Sequence, residues 1–194
     1  MHQVLRNYID RHLNVPLTEE DWLPIQDSFL FKKYRKKQYL LQEGDVCKYF
    51  SFIIKGAMRQ YTVDQKGNEH ILRFGIENWW MMDRESFEME TPSMYNIEAW
   101  EDVELLQIRR DAAVRLYEIS EPFRKMTQEL DKRGQIANQK RIHGAISLTA
   151  EERYLELLKT HPVFFQRFPQ NMIASYLGIS AETLSRIRKN ALSK

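Results

Sequence analysis

One cysteine, Cys47, occurs in 194 residues. This excludes an internal disulfide and any zinc or iron–sulfur site assembled from several cysteines of one chain; a small, semi-buried strand residue is the ordinary role for such a thiol. No run approaches the roughly 18 apolar residues of a bilayer span. Met1 to Asp10 also lacks the apolar block of a secretory signal, so a cytoplasmic location without a membrane partner is expected. Internal repeats, low-complexity tracts and long flexible linkers are missing as well. So is any nucleophile with a base at a telling spacing. Glu85, Glu88 and Glu90 form the densest acid cluster while His143 and His161 stand alone, and the expectation is a non-enzyme with no catalytic residue, metal or cofactor. His70, a lone histidine on a strand, is all that the chain offers to haem.

A hydrophobic content of 43% with 29% charged residues suits a folded chain of one large or two small domains. The overall charge of +2 hides an uneven distribution. Residues 76–121 carry 4 basic and 12 acidic side chains, whereas residues 132–194 carry 11 basic and 4 acidic. A basic C-terminal end is what a chain shows when that end meets a polyanion, although an uneven solvated surface has the same composition.

Apolar Val4, Leu5, Tyr8, Ile9 and Leu13 recur at helical spacing, and Thr18-Glu19-Glu20-Asp21 reads as a second helix start. From Lys37 to Ile108 the pattern becomes short β-branched and aromatic runs between turn residues. It predicts strands at 38–41, 49–54, 57–63, 69–74, 95–100 and 103–108, hence a small antiparallel barrel or roll. Asp111 to Tyr117 predicts a short helix. Pro122 suits the first turn of a longer one reaching about Ile146, some 25 residues or nearly 40 Å. Phe123, Met126, Leu130, Ala137 and Ala145 fall on one side of it. That stripe needs a cover, supplied either by a second copy of the chain or by the protein's own barrel. Gly134 interrupts it, at a cost in helix stability or as a point of close approach. Thr149-Ala150-Glu151-Glu152 is a capping box that starts another helix through Leu158, ended by His161-Pro162. Val163 to Phe168 follows as a compact apolar connector.

Gln170 to Lys189 reads as two helices meeting at a turn, a helix-turn-helix. Ala174 is small where the helices cross, and Gly178 can take the positive φ that ends the first. Ile173, Leu177, Ile179, Leu184 and Ile187 form a shared apolar wedge. Ser180 is a good N-cap for the second helix and leaves Ala181, Glu182, Ser185 and Arg186 outward on its leading turns, where a recognition helix meets base edges. Thr183 completes that first turn, and Arg188, Lys189 and Lys194 lie where phosphates pass. Glu182 can accept from cytosine N4, and Arg186 can donate to guanine O6 and N7.

The order of roll, long helix and terminal helix-turn-helix resembles the Crp/Fnr family of bacterial regulators over essentially the whole chain. Three stretches carry the resemblance: Leu41-Gln42-Glu43-Gly44-Asp45 with Ile53-Ile54-Lys55-Gly56-Ala57-Met58-Arg59, the Pro122 helix start, and Ile179-Ser180-Ala181-Glu182-Thr183-Leu184-Ser185-Arg186. The resemblance implies an α+β chain with an N-terminal antiparallel β-roll, a cupin-like jelly roll, as a cyclic-nucleotide-binding-like sensor over residues 1–119. A dimerisation helix over 120–147 and a helix-turn-helix DNA-binding domain over 148–194 would follow it. It further implies a cytoplasmic homodimer on a two-fold double-stranded DNA operator, RNA polymerase as a partner in transcription, and a small-molecule effector in the roll. A sensor or partner-binding module without sequence-specific DNA binding is the competing reading; the intact wedge and the basic end argue against it.

The chain departs from the family pattern in the roll. Cyclic-AMP-binding members hold a Gly-Glu pair for the ribose and, about ten residues later, Arg-Ser for the cyclic phosphate. Here the corresponding stretches are Asn78-Trp79-Trp80-Met81-Met82-Asp83-Arg84-Glu85 and Thr91-Pro92-Ser93-Met94-Tyr95. Asp83 stands where the ribose carboxylate belongs, Met82 replaces the glycine and Ser93 the arginine, while Arg84 could reach a phosphate only by a different geometry. Trp79, Trp80 and Met82, with Asp83, Arg84 and Ser93, are the candidate effector pocket; Trp79, Trp80, Met81 and Met82 equally suit plain core. At the other end, Ala181 stands where some relatives place a base-contacting arginine, and with Lys194 following the recognition helix almost directly a chain without the β-hairpin wing of many relatives is expected. A cyclic phosphate buried without a cation is poorly compensated. Calorimetric titration with cyclic AMP or cyclic GMP is therefore expected to give no tight binding, and a micromolar affinity would contradict this.

Overall fold

The computed structural model describes residues 1–13 and 16–192. Helices α1 (His2–Leu13) and α2 (Glu19–Ser28) precede eight strands: β1 (Leu30–Tyr34), β2 (Tyr39–Leu41), β3 (Tyr49–Lys55), β4 (Met58–Val63), β5 (Glu69–Gly75), β6 (Trp80–Met81), β7 (Asn96–Ala99) and β8 (Val103–Arg109). Helix α3 (Arg84–Met89) interrupts the strands. Helices α4 (Arg110–Ile119), α5 (Glu121–Ser147), α6 (Ala150–Thr160), α7 (Phe164–Arg167), α8 (Gln170–Leu177) and α9 (Ala181–Leu192) follow them. The strands form two four-stranded sheets, ordered β1-β8-β3-β6 and β2-β7-β4-β5, and every pairing with a resolved register is antiparallel.

The six expected strands are all present. The structure adds β1 and β6, and α3 and α7 among the helices. Among the described residues strand β1 (LFKKY) pairs only with β8, and it carries lysines on a sheet edge, which breaks the apolar alternation that marks a strand in sequence. Strand β6 is two residues long. Cys47 is buried rather than semi-buried and lies between β2 and β3 rather than in a strand, and burial pushes its thiol pKa up.

The chain divides into two compact units, Met1–Gln60 with Gly75–Arg133, and Tyr61–Phe74 with Gly134–Lys194. This differs from the expected boundaries at 119 and 147, because the β4–β5 hairpin clusters with the C-terminal helices and α5 is shared between the units. In the first unit one core joins α1, α2, α4, the strands and the start of α5: Leu5, Ile9, Ile25, Phe52, Leu106, Ile108, Leu116, Phe123 and Met126 are all within it. Phe123 and Met126 are almost fully buried there, and Leu130 packs against them. The first half of the expected stripe on α5 is thus covered by the protein's own roll. From Lys132 to His143 every residue of α5 is exposed in the single chain. Ile142 and Ile146, four apart and so on one face, are 61% and 79% exposed.

Among the described residues no helix is long and apolar enough to cross a membrane, and no group of three or more His, Cys, Asp or Glu is arranged to hold a metal ion.

Gly56 makes the β3–β4 turn at φ +93°, its N–H donating to Glu77 Oε1 at 2.7 Å. A Cβ there would lie 2.4 Å from the Asp102 carbonyl oxygen. Gly67, at the tip of the β4–β5 hairpin, has φ +82° but open space around it. Gly56→Ala should therefore destabilise by more than about 2 kcal/mol, and Gly67→Ala by about 1 kcal/mol, the cost of the left-handed backbone alone. Urea denaturation checks the order; equal losses would contradict it.

Candidate functional site

Helix α8 ends in a glycine-dependent turn. Gly178 has φ 69° and ψ 36°, its N–H points to the carbonyls of Ala174 and Ser175, and the Ile179 N–H reaches Ala174 O at 3.0 Å. This arrangement satisfies carbonyls that a helix end otherwise leaves open. Three residues later α9 begins, with the Ser180 hydroxyl accepting the Thr183 N–H at 3.2 Å and Ser180 O accepting the Leu184 N–H at 3.0 Å. Met172, Ile173, Ala174 and Leu177 of α8 are buried together with Leu184 and Ile187 of α9, while Ile179 is half-buried.

At 100° per residue the buried pair Leu184 and Ile187 fixes which side of α9 faces outward. Ala181, Glu182, Ser185, Arg186 and Lys189 are exposed and share one face; Thr183 and Arg188 flank it, half-buried. Lys194 lies outside the described residues. The nearby Ser180 hydroxyl, and then the residue's own N–H, hold the Glu182 pKa below the usual carboxylate range. The first turn of α9 is thus a small hydrogen-bonded assembly, and both Glu182 and Arg186 are exposed on its outward face.

Two supports of α8 escape a reading of the sequence. Strand β5 offers its backbone to the helix: the Ser175 hydroxyl donates to Glu69 O at 3.0 Å and accepts the Ile71 N–H at 2.9 Å. Phe74 of the same strand stacks on Phe168 at 4.0 Å and packs on Phe164 and Tyr176 at 5.1 and 5.2 Å. Arg141 of α5 donates to Leu72 O and lies 4.7 Å above the Tyr176 ring. Only the aromatic content of 164–168 and 176 was visible in sequence; nothing local says that Phe74 joins it.

In the roll, the candidate pocket residues take separate roles. Trp80 stacks on Phe50 at 4.2 Å and meets Tyr8, Phe29 and Phe52 at 5.0–6.0 Å. Of the two readings open for the Trp-Met run, core describes Trp80 and Met81, while Trp79 and Met82 pack half-buried at its margin. The Trp80 indole N–H, buried in this cluster, has no hydrogen-bond partner. Asp83 and Ser93 do meet: both are buried, and the Ser93 hydroxyl donates to Asp83 Oδ2 at 2.6 Å. The Gly44-Asp45 turn holds Ser93 by its backbone on both sides, at 2.7 and 2.8 Å. Arg84 is not brought to this pair. It is exposed, donating to Glu88 at 3.4 Å and to Asp131. A buried cation does exist in the roll, Arg59, but both its Nε and Nη2 donate to Glu98 Oε2, at 3.0 and 2.6 Å.

Residues 31–120 match the family described as cyclic nucleotide-binding domain. Among solved structures the chain is similar to FixK2 from Bradyrhizobium japonicum, with a TM-score of 0.72 and 17% identity over 85% of each chain. It is similar to the c-di-GMP-responsive regulator CLP of Xanthomonas campestris, with a TM-score of 0.67 and 15% identity over 91% of this chain and 92% of that one. A third is the catabolite activator protein of Thermus thermophilus, with a TM-score of 0.55 and 18% identity over 94% and 87% of the two chains. At these identities the likeness is one of fold. No curated protein matches the sequence.

The Ser180 assembly has a titratable consequence. A carboxyl whose pKa is depressed on folding adds stability above its unfolded pKa, and that contribution is lost as pH falls through the folded value. In Ser180→Ala the Glu182 carboxyl should titrate at higher pH, followed by NMR, and loss of the cap should cost about 1 kcal/mol in denaturation. An unchanged Glu182 titration would contradict the assembly.

Proposed function

We propose that this chain, whose residues 31–120 match the family described as cyclic nucleotide-binding domain and which shares the fold of Crp/Fnr-family regulators, is a homodimeric, sequence-specific DNA-binding transcription regulator. One observation carries the reading. Helices α8 and α9 meet at the left-handed Gly178 over a buried wedge, and the exposed face of α9 offers Glu182, Ser185 and Arg186 with Lys189 and Arg188 beside them. An acceptor, a hydroxyl and a planar five-donor cation within two turns are what major-groove edges require, and the flanking cations suit phosphates. The exposed three turns of α5 with Ile142 and Ile146 support a second copy as its cover, since exposed isoleucines on one helix face gain most from a partner. Two copies related by a two-fold axis present two α9 helices to a two-fold operator.

The roll serves this reading as a sensor whose effector is not cyclic AMP. Asp83 is already bonded to Ser93, and the buried guanidinium of Arg59 is already neutralised by Glu98. A cyclic phosphate entering there would find no free cation. A structural neighbour described as responsive to c-di-GMP supports an effector other than cyclic AMP in a fold of this kind. RNA polymerase is the partner that a regulator of this design addresses.

The test is binding of the whole protein to operator and to unrelated DNA at several salt concentrations, with Arg186→Ala alongside. Affinity is expected to fall steeply with salt. Arg186→Ala should lose about 1–3 kcal/mol of preference for the operator while keeping most of its affinity for unrelated DNA. A salt-insensitive interaction, or an unchanged preference in the variant, would contradict the proposal.

A further inference from the structure

Strand β1 and the turn after it carry Lys32, Lys33, Arg35, Lys36 and Lys37, five cations in six positions. Three of them, Lys32, Lys33 and Lys37, line a groove of about 720 Å³ together with three tyrosines (Tyr34, Tyr39 and Tyr49) and Gln107, and its lining holds no acid. That volume lies within the ordinary range of small-molecule sites. Glu104 holds Lys33 at 2.8 Å. Lys32 and Lys37 have no acidic partner among the described residues.

The floor of the groove is built rather than incidental. Lys32 pairs with Leu105, Tyr34 with Val103, and Ser51 with Gln107, so the two-residue period of the strands puts Lys32, Tyr34, Gln107 and Ser51 on one face. The Tyr34 hydroxyl donates to Gln107 Oε1 at 3.3 Å, and Gln107 Nε2 donates to Ser51 Oγ at 3.0 Å. Gln107 is 2% exposed and Ser51 fully buried, on a face otherwise apolar with Ile53, Leu105 and Val103. A buried amide in such a place is tolerated only when bonded. These bonds use one of its two N–H groups and one acceptor site of its oxygen, leaving the remainder for the groove that Gln107 lines. Burial raises the Tyr34 pKa, so the phenol stays a donor.

Lysines on an edge strand ordinarily serve to deter pairing with other sheets. That role does not require a lysine in the left-handed region, yet Lys37 has φ 70°, a conformation that glycine or asparagine takes more easily. Three bonds pin the turn around it: Arg35 N–H to Gln38 Oε1 at 2.6 Å, Lys36 N–H to Asp102 Oδ1 at 2.8 Å and Lys37 N–H to Ala99 O at 2.7 Å. Nor does edge protection call for an amide beneath the lysines.

We propose that this groove binds a planar aromatic anion, with Lys32 and Lys37 on its phosphate or carboxylate, tyrosine rings against its plane, and Gln107 hydrogen-bonding from the floor. Nucleoside monophosphates and aryl carboxylates share that chemistry. The site has no residue in common with Asp83, Ser93 or α9, and it stands whether or not the chain reads DNA.

Calorimetric titration of the whole protein with adenosine 5′-monophosphate, salicylate and inorganic pyrophosphate tests it, on the parent and on the Lys32→Gln, Lys37→Gln double variant. One aromatic anion is expected to bind in the sub-millimolar range, at least about tenfold tighter than pyrophosphate, and the double variant should weaken it at least about tenfold with unchanged thermal melting. Binding of the nucleotide or of the aryl acid identifies the source. Binding of neither, pyrophosphate binding as tightly, or an affinity unchanged in the double variant overturns the proposal.

Discussion

The α8–α9 turn rests on four aromatic rings. Phe74 meets Phe164, Phe168 and Tyr176 at 4.0–5.2 Å and Phe164 meets Phe168 and Tyr176 at 5.8 and 6.3 Å, and one of the four comes from strand β5 rather than from the helical end of the chain. An eight-residue helix such as α8 is too short to be stable alone. It is held by that cluster, by Ser175 against the edge of β5, and by its wedge with α9. Because the wedge fixes the rotation of α9, the same packing decides that Glu182, Ser185 and Arg186 face outward. The proposed reading of DNA depends on this chain of constraints more than on any single polar residue.

Much of this was legible in the sequence, for local reasons. Gly178, Ser180 and the Thr149-Glu152 box act within a few residues of themselves, so their residue types predict their geometry: the left-handed turn, the cap of α9 and the reciprocal box of α6 are all present. Six strands could be placed because their apolar residues alternate between turns. Strand β1 could not, since four cations at 32–36 mask it, and neither could β6, which exists only through its pairing with β3. The long helix was placed to within two residues, but its apolar stripe was not resolved into the part that the roll buries and the part left bare. Periodicity gives a face and not what covers it.

The candidate sensor site shows the same limit. The absence of an arginine at Ser93 was readable, whereas the buried Arg59 and its bond to Glu98 were not, because the partners lie on different strands 39 residues apart. With Arg59 neutralised and Asp83 occupied by Ser93, these buried charged groups are satisfied without a ligand. An orphan remains in the Trp80 indole N–H, enclosed by rings. This part of the roll is packed as a structural body rather than as a receptor for a cyclic phosphate; the groove beside β1, with Lys32 and Lys37, is the surface proposed for an anion.

The central claim is that two copies of α9, carried on a two-fold dimer, read DNA sequence. It is tested most directly by selecting binding sites for the purified protein from random duplex DNA and sequencing those retained at moderate salt. The account predicts enrichment of an inverted repeat whose half-sites lie about one helical turn apart, roughly 10 base pairs between centres. Retained DNA with no common sequence, or with a single unpaired half-site, would contradict it.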